Sequence, residues 1–102
     1  MITIKLQYDV DQQMNGFEIS GHADFDDAGY DIVCAAVSVL SETALLGLLK
    51  YAKQYVHYEI HDGFLSVQLK QVSHETSIIL ETMVLGLEEV ARQYTKFVVL
   101  DR

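Results

Sequence analysis

Only one of the 102 residues is a cysteine, Cys34, so the chain has no internal disulfide framework and no pair of thiols for a CxxC redox or zinc site. A lone thiol of this kind is expected in a reducing compartment. Basic residues are scarce too: seven Lys and Arg stand against fifteen Asp and Glu, a formal net charge of -8. Such a surface repels phosphate backbones instead of gaining from counterion release, which argues against direct nucleic-acid binding and favours a basic protein partner. Met1 to Asp9 lacks the charged and apolar pattern of a signal peptide, and no uninterrupted apolar run reads as long enough for a membrane span. The expectation is a cytoplasmic protein without membrane contact. No linker or low-complexity segment interrupts the chain, and its length allows one domain over residues 1–102.

Apolar residues, by contrast, make up 50% of the sequence, more than so small a core readily buries. A second copy of the chain is the expected cover, giving a homodimer. Ile2, Ile4, Leu6 and Tyr8 alternate with polar residues, the period of a strand with one buried face. Asn15-Gly16 predicts a tight turn into a second strand through Phe17 and Ile19. The run from Gly21 to Tyr30 has no periodicity and reads as a loop with glycine joints at Gly21 and Gly29. Asp31 is a candidate N-cap for a helix from Ile32 to about Tyr51 that is apolar almost all round, as in a helix buried on several sides. Val56, Tyr58 and Ile60, the Asp62-Gly63 dipeptide, then Leu65, Val67 and Leu69 form the clearest hairpin signal. Ser73 caps a second helix carrying Ile79, Met83, Leu87, Val90 and Tyr94, and Phe97 to Leu100 supplies a last strand. The order β-β-α-β-β-α-β predicts an α+β domain with a largely antiparallel sheet and two long helices.

Chemistry concentrates between Gly21 and Ser38. With Asp31 as N-cap, Cys34 falls in the first helical turn, where unpaired N–H groups and the helix dipole favour a thiolate. That effect is about 0.3–1 kcal/mol at an exposed helix end, under one pKa unit, so a cationic neighbour is needed for a reactive sulfur at neutral pH. His22, where the second strand enters the loop, is the candidate ion-pair partner and base. Asp31, Cys34 and Ser38 share a helix stripe, so the N–H of Cys34, or of a neighbour in the first turn, is the expected oxyanion donor, with the Ser38 hydroxyl in support. Asp24, Asp26, Asp27 and Asp31 work against the thiolate while favouring a protonated His22. Taken alone, Cys34 reads more readily as a small buried hydrophobe among Val33, Ala35 and Ala36 than as a nucleophile, and His22 reads as a hydrogen-bonded strand end. His57, Glu59 and His61 look like metal ligands, yet alternation sets them on the polar face of a strand with the histidines about 13 Å apart, so they read as a solvated face.

Gly21-His22-Ala23, followed by a short loop and then Gly29-Tyr30-Asp31-Ile32-Val33-Cys34-Ala35-Ala36-Val37-Ser38, resembles the paired motifs of the Prp family, the ribosomal-processing cysteine proteases of bacteria. That resemblance implies a cysteine endopeptidase in which Cys34 and His22 are catalytic and Asp31 and Ser38 support them. It implies a homodimer of α+β type that needs no cofactor and no metal. The implied substrate is the large-subunit ribosomal protein numbered twenty-seven, from which a short N-terminal extension is removed. The competing expectation is a non-catalytic, dimeric, ribosome-associated binding module or a thiol sensor.

Overall fold

The computed structural model describes residues 1–21 and 30–102, with side chains from residue 32 onward in the second stretch. Strands β1 (Ile2–Tyr8) and β2 (Met14–Ser20) lead to helix α1 (Tyr30–Ala52), hairpin β3 (Val56–His61) and β4 (Phe64–Leu69), helix α2 (His74–Gln93) and strand β5 (Val98–Asp101). The expected order and fold class are the ones observed. The sheet runs β3-β4-β2-β1-β5, antiparallel at every pairing except β1 with β5, which is parallel.

One face of this sheet is apolar. Ile4 opposes Ile19, Leu6 opposes Phe17, and Phe17 in turn opposes Val67, so directly paired residues stack their side chains on the same side. Both helices pack there, and Val33, Val37, Leu45 and Leu48 of α1 and Leu80, Met83 and Leu87 of α2 join the strand residues in one core. The opposite face carries Lys5, Glu18, Ser66 and Gln68 to solvent, giving two layers. The start of α2 follows from local chemistry: Ser73 Oγ accepts the Thr76 N–H at 3.2 Å, and Thr76 Oγ1 accepts the Ser73 N–H at 2.9 Å, a reciprocal cap.

Four sequence expectations are corrected. The turn between β1 and β2 is at Asp9–Gln13 and not at Asn15-Gly16: the Asp9 carboxylate accepts the N–H groups of Asp11 and Gln13 at 2.8 and 3.0 Å, and Gln12 takes a φ of 65°. Gly16 lies inside β2, where a Cβ would come within 2.6 Å of the Val67 carbonyl oxygen, so close strand approach is the reason for glycine. Helix α1 begins at Tyr30, which makes Asp31 a first-turn residue and not the cap. Nor is α1 buried on several sides: among the described residues the two-layer fold places nothing on its outer surface, and Ile32, Val39 and Leu46 are each more than 60% exposed. Finally, Ile32–Tyr55 does have the length and apolar composition of a membrane span; here its inner face, through Val33, Val37, Leu45 and Leu48, builds the core.

Candidate active site

Strand β2 ends in Gly21, and the physical demands on that residue are unusual. Its φ is 128°, and a Cβ there would lie 2.2 Å from the Met1 carbonyl oxygen, so only glycine fits. Its N–H donates to the carbonyl of Gly63 at 3.1 Å, tying the end of β2 to the Asp62-Gly63 turn of the β3–β4 hairpin. The expected glycine joint is therefore anchored on its strand side. His22, Gly29 and the loop interior between them lie outside the described residues.

Across from Gly21 stands the N-terminal part of α1. Cys34 is its fifth residue, so its N–H has the residue 30 carbonyl as i-4 acceptor and is not among the unpaired N–H groups of the helix start. Helical Cα–Cβ bonds tilt toward the N-terminus, which carries the sulfur back over the first turn and its positive dipole end. The thiol is half-buried and packs on the core without being sealed into it. Ser38, one turn on, is exposed, and the buried Ser41 spends its hydroxyl on the Val37 carbonyl at 2.7 Å.

Gly21, Cys34 and Ser38 meet in one cleft of about 140 Å³. Ile19, Val37, Ile60, Phe64 and Leu65 give it apolar walls, and Glu42 and His61 bring polar groups to it. An extended peptide laid in such a cleft would bury apolar side chains against the hairpin while its backbone passes the sulfur. Asp31 is in the same helical turn as the cleft's N-terminal end; its side chain lies outside the described residues.

His61 is the residue that sequence reasoning missed. Alternation correctly sets it on the polar side of β3 with His57 and Glu59, and all three are exposed. Its position beside the hairpin turn, stacked on Phe64 with ring centroids 6.0 Å apart, nonetheless puts it at the cleft. Its Nε2 lies 3.4 Å from a Glu59 carboxylate oxygen. The only signal in the sequence is adjacency to Asp62-Gly63, which fixes a strand end but not what that end faces. Among the described residues no group of three or more His, Cys, Asp or Glu side chains is arranged to hold a metal ion.

Comparison with known proteins gives a family-model match described as cysteine protease Prp over residues 1–99. Two crystal structures of the ribosomal processing protease Prp from S. aureus share the fold: one with a covalently linked product peptide, at a TM-score of 0.86, and one with a substrate peptide, at 0.87. Each is 23% identical, with 99% of this chain and 98% of that chain covered. SMU.848 from Streptococcus mutans is 26% identical at a TM-score of 0.79, covering 99% of this chain and 92% of that one. No curated protein sequence matches.

Proposed function

The chain belongs to the Prp family of cysteine proteases, and from that premise we propose that it removes the N-terminal extension of the large-subunit ribosomal protein numbered twenty-seven, with Cys34 as nucleophile and His22 as general base. The observation that carries this reading is the shared cleft: Cys34 lines it together with Gly21, the residue immediately before His22 in the chain. Ribosomal processing is the role of the S. aureus relatives, one of which holds a covalently linked product peptide and the other a substrate peptide.

In this mechanism the Cys34 thiolate attacks the scissile carbonyl, and the negative charge on its oxygen is met by N–H groups of the first turn of α1. Collapse of the tetrahedral intermediate breaks the C–N bond as His22 protonates the leaving amine. Water, deprotonated by His22, then hydrolyses the thioester and regenerates the thiol. Ser38 and Asp31 support the site from the same helix, and Gly21 and Gly29 frame the loop that brings His22 to it. The reading includes a cytoplasmic bacterial protein acting as a homodimer. Its support is the apolar groove between α1 and α2, where Val39, Leu40, Ile78 and Ile79 line a space of about 500 Å³ on the surface away from the sheet.

Two measurements test it. Incubation with the extended ribosomal protein is expected to yield a shortened product by mass spectrometry with wild type and none with Cys34→Ala; cleavage by the Ala variant would refute the nucleophile. The rate of thiol alkylation against pH is expected to show a low apparent pKa that rises in His22→Ala and holds in His61→Ala. The reverse pattern would hand the base to His61, and a thiol slow at every pH would favour the binding module.

A further inference from the structure

Glu42 is the charged residue that α1 carries into the Cys34 cleft. Cys34, Ser38 and Glu42 follow one another at i, i+4 and i+8, a single stripe of the helix, and all three line the same space. At about 1.5 Å of rise per residue, position 42 lies about 12 Å beyond position 34 along the axis. An extended peptide advances about 3.3 Å per residue, so that distance is about three to four substrate residues.

The surroundings of Glu42 say what it would meet there. Among the described residues that line the cleft, His61 is the one basic side chain, its Nε2 beside the Glu59 carboxylate at 3.4 Å, and no lysine or arginine lines the space. Glu42 is the acidic side chain among the described residues that line the cleft; it is exposed, and no ion pair among the described residues engages it. Glu59, the nearby acid of β3, is turned toward His61. A single unpaired carboxylate against an apolar wall disfavours an acidic substrate residue and favours a basic one, in the direction already set by the net charge of -8.

We infer that Glu42 is a specificity-determining residue that pairs with a lysine or arginine of the peptide substrate, three to four residues from the bond that Cys34 attacks. The inference rests on the protease reading with Cys34 as nucleophile. Pairing at this exposed carboxylate raises kcat/KM through recognition of the peptide and leaves the bond-breaking steps to Cys34 and its base.

The test uses quenched-fluorescence peptides spanning the cleavage junction of the extended ribosomal protein, with lysine, glutamine or glutamate walked through each position on both sides of the cut. Wild type is expected to prefer lysine over glutamine by about threefold to fivefold at one position three or four residues from the cut, the range of an exposed ion pair. Glu42→Gln flattens that preference, and Glu42→Lys reverses it in favour of glutamate at the same position. An unaltered order of preference in both variants overturns the inference while the protease reading stands. Absence of cleavage by wild type on every peptide refutes the protease reading itself, and the inference falls with it.

Discussion

Replacing Gly21 by alanine tests whether the end of β2 is as tightly determined as its geometry implies. Two effects add. An L-residue at positive φ carries about 1–2 kcal/mol of backbone strain. The new Cβ would also stand 2.2 Å from the Met1 carbonyl oxygen and 3.1 Å from the Ile2 Cα, both backbone atoms that cannot rotate away. Making room means shifting the start of β1, where the Ile2 N–H donates to the Phe97 carbonyl at 2.7 Å and Ile2 pairs with Val98. Loss of one such hydrogen bond adds about 0.5–1.5 kcal/mol. The expected destabilisation is therefore about 2–3 kcal/mol, which for a domain near 100 residues lowers Tm by about 10–20 °C. Urea denaturation with an unchanged m-value measures it directly. Cys34 alkylation on the folded variant then reports whether the displaced β2 end also slows the thiol. A stability change under about 0.5 kcal/mol, the range of an unremarkable surface substitution, would refute the argument.

Three further outcomes follow from the packing. Leu48 is fully buried between the sheet and α2, so Leu48→Ala should cost about 2–5 kcal/mol in a urea titration. Ser73→Ala removes the acceptor for the Thr76 N–H and should lower stability by about 1 kcal/mol, read as a few degrees in a thermal melt, with no effect on thiol reactivity. Leu46 is 66% exposed on the outer side of α1, next to the groove assigned to a second copy; Leu46→Asp should shift mass from dimer to monomer by light scattering while the far-ultraviolet circular dichroism stays unchanged.

The β3–β4 hairpin was legible because every local signal agrees: alternating residues, an Asp-Gly dipeptide with Gly63 at a φ of 72°, and a register in which Ile60 meets Leu65 and Tyr58 meets Val67. Asn15-Gly16 carries an equally good turn signal and makes no turn, since the Asp9 carboxylate closes the chain earlier and Gly16 is needed beneath the Val67 carbonyl. A dipeptide cannot disclose which of those two demands it serves. Helix α1 misled for a different reason: with apolar residues on every side, periodicity has no polar stripe to mark the solvent face, and only the two-layer architecture exposes Ile32, Val39 and Leu46. At the site, Cys34 and Ser38 were visible as one helical stripe. Glu42 continues that stripe by one more turn, whereas the presence of Gly21 and His61 in the same cleft depends on contacts between elements far apart in sequence, which no local pattern encodes.

The parallel partnership of β1 with β5 also fixes when the sheet is finished during synthesis. Until Val98–Asp101 dock, the outer edge of β1 from Ile2 to Lys5 has no neighbour, although β1 is made well before β5. A nascent chain thus carries a bare strand rim from the making of β1 until β5 is available, and such rims invite pairing with other chains. A variant that weakens the docking of β5 should accordingly lose solubility through pairing at the β1 edge, in addition to losing stability.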